Sequence, residues 1–174
     1  EELLSLTMEE QEVTTSVEAI RDFHQAIIND LGIAADENLK KDISDIFEQL
    51  ENGLNEFSSS MGYDYMYDQT VSLGEILSTK IIAAYLNSQG IGSSGLDARK
   101  VVKTDSLHRQ AIVDWGASQA MIKSQVKRSI EEGIVLTQGF IGSNSDFKST
   151  TLGREGSDFS AAIFATSVNA ESVT

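Results

Sequence analysis

Apolar residues recur at three- and four-residue spacing through the first third of the chain. Val17, Ile20, Phe23, Ile27 and Leu31 form one stripe; Leu39, Ile43, Ile46, Phe47, Leu50, Leu54 and Phe57 form a second. That spacing puts each set on one face of an α-helix. Gly32 follows the first stripe as a helix stop, and Asp36 precedes the second as an N-cap. The pair predicts an antiparallel helical hairpin within an acidic segment, residues 1–60. Its apolar faces form core or partner-packing surface and its acidic faces are solvated.

After a Ser/Gly loop at 58–62, Tyr63, Tyr65 and Tyr67 alternate with Asp64, Met66 and Asp68. The alternation reads as a short strand or as a connection packing aromatic rings, with no chemistry attached. A helix then opens at Ser72-Leu73-Gly74-Glu75, buries Leu73, Ile76, Leu77, Ile81, Ala84 and Tyr85, and stops at Gly90. Ser72 and Glu75 have the spacing of a capping box, in which each side chain reaches the other's backbone N–H.

Beyond Gly90 the pattern turns to short apolar runs between helices. Residues 92–98 contain a short extended piece, and 111–115 predict another strand, with Trp115 packing. Residues 118–132 predict a helix with Met121, Ile122, Val126 and Ile130 on one side, Lys123, Lys127 and Arg128 in solvent, and Gly133 as its stop. Ile134 to Ile141 is the strongest strand, and its apolar start fits a strand covered on both faces, as in parallel sheets. A Gly/Ser/Asn-rich loop at 142–149 leads to 150–158. A helix follows through Phe159, Ile163 and Thr166, and Val173 begins a further strand. This order is that of an α/β protein with ligand loops at strand carboxyl ends.

The run Thr150-Thr151-Leu152-Gly153-Arg154-Glu155-Gly156-Ser157-Asp158 carries the clearest chemistry. Gly153 and Gly156 let the backbone bend and approach a ligand closely. The following helix adds unpaired first-turn N–H groups and the positive end of its dipole. Arg154 offers a planar fork for a carboxylate or phosphate, and Ser157 or Asp158 can cap the helix. The stretch reads as an anion-handling loop at a helix N-terminus.

Composition narrows the classes. The 174 residues suit one sizeable core, and 13 basic against 27 acidic residues give a net charge of −14. That excludes a generic binder of nucleic acid or anionic membranes, though a small anionic substrate needs only a local positive site. No apolar run is long enough to span a membrane, and the first residues do not show the basic-then-apolar pattern of a secretory signal. Cysteine is absent, and His24 and His108 are far apart in sequence and read as surface residues, so no metal site is expected. A cysteine-free acidic α/β chain fits the cytoplasm. With Glu at position 1 and Glu171–Thr174 ending where a strand would begin, a fragment of a longer protein is expected.

The 150–158 run strongly resembles the T-T-L-G-R-G-G-S-D signature of the aspartate kinases. Gln138-Gly139-Phe140-Ile141-Gly142 is similar to their G-F-I-G strand end, and Ser72 to Ser78 to their S-x-G-E-x-x-S segment. Leu96-Asp97-Ala98-Arg99, Thr104-Asp105 and Ala170 to Thr174 fall in the family's order. The resemblance covers about residues 65–174. It implies a three-layer αβα sandwich with a mainly parallel sheet, the amino-acid kinase (carbamate kinase-like) fold. Residues 1–174 would then be a partial catalytic domain: a helical segment at 1–60 and an aspartate-binding α/β part at 61–174.

The implied reaction moves the γ-phosphoryl group of ATP, with Mg²⁺, to the side-chain carboxylate of L-aspartate. It opens lysine, threonine and methionine synthesis. In this reading Glu75 binds the substrate ammonium, Arg154 and Ser157 hold carboxylate oxygens, Glu155 and Gly156 belong to the substrate loop, and Asp158 belongs to the catalytic centre. Glu155 replaces the signature's middle glycine, which puts anion binding there in question. The family's K-F-G-G-T-S and W-x-D-V-x-G segments are absent, so the ATP site lies mostly outside this chain and the chain alone is expected to be inactive. The full-length protein is expected to be a homo-oligomer. Another amino-acid kinase is one alternative. A non-catalytic binding or oligomerisation module that keeps the fold is another.

Overall fold

The computed structural model describes residues 2–8, 13–129 and 133–174. Its first third is helical, with α1 (Glu2–Met8), α2 (Thr14–Asp30) and α3 (Glu37–Glu56). The Asp36 carboxylate caps α3 by accepting the N–H groups of Asn38 and Leu39 at 2.9 and 3.0 Å. Arg21 pairs with Glu51 and lies over the Phe47 ring, the register of an antiparallel hairpin. The α3 stripe is buried at Leu39, Ile46, Phe47, Leu50 and Leu54, whereas Phe23 of the α2 stripe is 62% exposed.

Helix α4 (Tyr63–Ser88) runs 26 residues, packing on α3 and against the strands at Ser93–Leu96, Ile134–Thr137 and Ser149–Thr151. It corrects two expectations. The Tyr/Asp alternation at 63–68 is its first turns, neither strand nor connection. Alternation over six residues fits both periods, and Met66 and Asp68 point inward while the tyrosines flank them. The capping box does not form, because the helix starts nine residues before Ser72. That serine is buried in mid-helix, where its hydroxyl donates to the Gln69 carbonyl at 3.3 Å.

Strand β1 (Ser93–Leu96) pairs in parallel with β2 (Ile134–Thr137), with α5 (Ala98–Val101) and α6 (Trp115–Ser129) between them in sequence. The expected strand from Ile134 to Ile141 is broken in two. Phe140 takes a left-handed φ of 69°, and β3 (Ile141–Ser143) leaves to form an antiparallel hairpin with β4 (Ser149–Thr151). Ile134 is 48% exposed, so β2 is not covered along its whole length. The Asn144 side chain accepts the N–H groups of Asp146 and Lys148 and so closes the hairpin within the stretch read as a loop.

The run 111–115 is likewise no strand. Val113 makes one isolated bridge to Thr104, and Trp115 opens α6 three residues earlier than expected. Met121 is 40% exposed on that helix, while Ile122 and Val126 are buried; Ile130 lies outside the described residues. Helix α7 (Gly156–Val168) follows β4, and residues 171–174 form no strand. Ile122, Ile141, Ile163, Val101 and Val102 make the fully buried centre where α5, α6, α7 and β3 meet. Among the described residues no helix is long and apolar enough to cross a membrane.

Candidate functional site

The glycine-flanked arginine sits where β4 hands over to α7. Strand β4 is fully buried, and Thr150 Oγ1 meets Thr104 Oγ1 at 2.7 Å beneath the turn. Gly153 has φ 79°, and a Cβ there would lie 3.0 Å from the Arg109 carbonyl. At Gly156 a Cβ would lie 2.6 Å from the Phe140 ring. Crowding therefore demands glycine on either side of Arg154-Glu155. Ser160 ties the same corner, its hydroxyl donating to the Gly156 carbonyl while accepting the Phe140 N–H, both at 2.9 Å.

Helix α7 is capped otherwise than expected. Glu155 is the N-cap residue, in a left-handed conformation with φ 60°, and its side chain makes no capping bond. Ser157 and Asp158 stand in the first helical turn and are exposed, so neither is the cap. The Gly156 N–H donates to the Gly153 carbonyl at 3.1 Å, which leaves the N–H groups of Ser157 and Asp158 to face an anion. Ser157 abuts Gly139, where an added Cβ would come within 3.0 Å of Ser157 Oγ. Arg154 is exposed and, among the described residues, has no ion-pair partner, adjacent Glu155 included.

Arg154 and Gly153 border a cleft of about 860 Å³ whose other walls include Phe140, His108, Arg109 and Asp64. The last three belong to no site expected from the sequence. Arg109 (φ 64°) donates to Asp64 at 3.2 Å and stacks over the Tyr67 ring at 4.6 Å from its centroid. His108 is not a surface residue. Its ring packs edge-on against Tyr65, and its Nδ1 donates to Asp68 Oδ2 at 2.8 Å, a carboxylate being acceptor only.

Asp68 is fully buried and also accepts the backbone N–H of Arg109 and both the N–H and hydroxyl of Thr151. Sequence reasoning missed it, because its partners are 40 to 83 residues away. The one available signal was helical phase. Once 63–88 is a single helix, Asp68, Ser72, Glu75 and Thr79 fall on one stripe at i, i+4, i+7 and i+11.

That stripe places Glu75. At one end Asp68 holds Thr151, three residues before Arg154. At the other, the Gln138 amide donates to Thr79 Oγ1 at 2.6 Å, immediately before Gly139 and its contact with Ser157. Glu75 lies between these two ties along α4, on the stripe it shares with Asp68 and Thr79. It does not border the cleft itself. Burial pushes its carboxyl above the usual glutamate range, and among the described residues no cation or side-chain donor meets it. Partial desolvation without a partner suits an acid that receives a ligand cation. No group of three or more His, Asp or Glu that could hold a metal ion occurs among the described residues.

The profile of the Amino acid kinase family matches residues 7–174. Lysine-sensitive aspartokinase 3 of Escherichia coli (strain K12) is 38% identical over 106 residues, 61% of this chain and 24% of that protein. The aspartokinase of Chlamydia trachomatis is 33% identical over 146 residues, 84% of this chain and 31% of that protein. The chain thus spans about a quarter to a third of the length of these relatives. The crystal structure of E. coli aspartokinase III in complex with aspartate and ADP superposes with a TM-score of 0.83. The match covers 97% of this chain and 37% of that one at 30% identity.

Proposed function

Because the chain belongs to the amino acid kinase family, we propose that it carries the acceptor-binding part of an aspartate kinase, which phosphorylates the side-chain carboxylate of L-aspartate with ATP. The observation that carries the reading is one pairing of unmatched charges. Arg154, flanked by obligatory glycines at the start of α7, and the half-buried Glu75 on α4 both lack a partner among the described residues. L-aspartate brings the complement, two carboxylates and one ammonium. The likeness to E. coli aspartokinase III, crystallised with aspartate and ADP, supports the same assignment.

In this mechanism Glu75 receives the substrate ammonium, and that cation opposes the burial that raises its carboxyl. The Arg154 fork and the Ser157 hydroxyl hold carboxylate oxygens, with the Glu155-Gly156 backbone shaping the turn beside them. Asp158, exposed in the first turn of α7, belongs to the catalytic centre and helps organise the reacting groups near the phosphoryl. Bound ATP with Mg²⁺ supplies the transferable phosphoryl group and the neutralisation of its charge. The transfer forms an O–P bond on the acceptor carboxylate and releases ADP, so the protein's share is positioning and charge stabilisation.

The test is acyl phosphate formation, trapped with hydroxylamine, by the full-length protein that contains this chain. Arg154→Ala should raise KM for L-aspartate by about 10- to 100-fold, the equivalent of losing a charge-assisted pair worth about 1.5–3 kcal/mol. KM for ATP should be nearly unchanged. Failure of the wild-type protein to phosphorylate L-aspartate would refute the reading. An unaltered KM in Arg154→Ala would remove that residue from the site.

A further inference from the structure

We propose that Asp68 is a positioning residue that fixes the span between Glu75 and Arg154, and thereby the length of amino acid the site accepts. The proposal rests on the acceptor-site reading of those two residues. Asp68 is 0% exposed, and donors from two other chain segments converge on its carboxylate. Thr151 donates its hydroxyl to Oδ1 at 2.7 Å and its N–H to Oδ2 at 3.1 Å. The Arg109 N–H reaches both oxygens at 3.2 and 3.1 Å, and His108 Nδ1 reaches Oδ2 at 2.8 Å.

One carboxylate therefore binds the 108–109 wall of the cleft and the strand that ends three residues before Arg154. Glu75 is seven residues further along the same helix and in the same phase, about 10 Å away along the axis. Asp68 thus joins the support of the substrate's ammonium contact to the support of its carboxylate contact. The two oxygens of a carboxylate can accept all of these donors. An amide offers a single acceptor oxygen and turns an N–H toward other N–H groups. In a buried setting each lost bond loosens the joint, and misplacement of about 1 Å costs on the order of 100-fold in rate. A loosened span should tell L-aspartate less well from L-glutamate, which is one methylene longer.

The experiment compares kcat and KM for L-aspartate, L-glutamate and ATP in the full-length wild-type protein, Asp68→Asn and Thr151→Val. Thr151→Val keeps shape and removes only the 2.7 Å bond. In Asp68→Asn we expect KM for L-aspartate to rise at least about tenfold and the aspartate-to-glutamate ratio of kcat/KM to fall about tenfold. KM for ATP should hold within about twofold, and Thr151→Val should shift the ratio the same way by less. A folded Asp68→Asn with an unchanged ratio would overturn the proposal, even if both acceptors lose kcat equally, because that is what a merely structural residue would do. If Asp68→Asn does not fold, an unchanged ratio in Thr151→Val overturns it instead. A wild-type protein that does not phosphorylate L-aspartate would refute the functional reading, and this proposal with it.

Discussion

Glu75 and Glu155 both trade stability against the site, by different means. Burial raises the Glu75 carboxyl, so the native state binds that proton more tightly than the unfolded chain does. Ionised Glu75 therefore subtracts from stability. The penalty is absent below the ordinary glutamate pKa, grows as pH rises through the window up to the raised value, and is complete above it. Glu75→Gln should be more stable than the wild type at pH 7, with a gap that narrows toward pH 4. Urea midpoints at the two pH values measure this, and a gap independent of pH would count against desolvation. Glu155 carries its cost in the backbone. A left-handed φ of 60° costs an L-residue about 1–2 kcal/mol, partly offset in glycine by a chain-entropy loss of about 0.5–1 kcal/mol. Glu155→Gly should thus gain about 0.5–1 kcal/mol in urea unfolding. The aspartate kinase signature has glycine at this position, and the left-handed backbone gives that glycine a physical reason.

Among the elements, the β3–β4 hairpin holds the arginine turn in place, and close packing holds the hairpin. A Cβ on Gly142 would lie 2.8 Å from the Val102 carbonyl and 3.0 Å from Thr104 Cγ2. Gly142→Ala should therefore push β3 away from α5 and cost about 1–3 kcal/mol, seen as a lowered Tm. An unshifted Tm would show that the strand yields freely. The same crowding explains what the sequence concealed. The helical hairpin, the Asp36 cap and the helix after Gly156 were legible because their signals are local. The break at Phe140 was not, since nothing in that residue favours φ 69°; contacts with Gly156 and Ser160 from 16 and 20 residues away impose it. The start of α4 was hidden because six alternating residues satisfy strand and helix alike. The arginine turn was legible as a glycine-flanked loop before a helix. The run at 72–75 read as a cap that does not form, and only the family resemblance singled out Glu75 as a ligand contact. Asp68, His108 and Arg109 were not legible, because only the tertiary fold assembles them.

For the molecule as a whole, charge sets the solution behaviour. A net charge of −14 on 174 residues makes the folded state repel itself, and the ion pairs that oppose this are mostly exposed. Salt that shortens the screening length from about 30 Å at 0.01 M to about 8 Å at 0.15 M should raise the urea midpoint. A falling midpoint would mean that the surface pairs outweigh the repulsion.

The clasp of Asp68 on Thr151 also bears on how the chain comes together. It closes a loop of 83 residues, whereas the α2–α3 turn and the β3–β4 hairpin close within a few. Chain entropy disfavours the long closure until neighbouring contacts already hold its ends near each other. The hairpins are then early structures and the clasp a late one. Weakening it should hasten unfolding far more than it slows folding, so the cleft beside Arg154 should be the part of the fold completed last, which stopped-flow unfolding and refolding of Thr151→Val would measure.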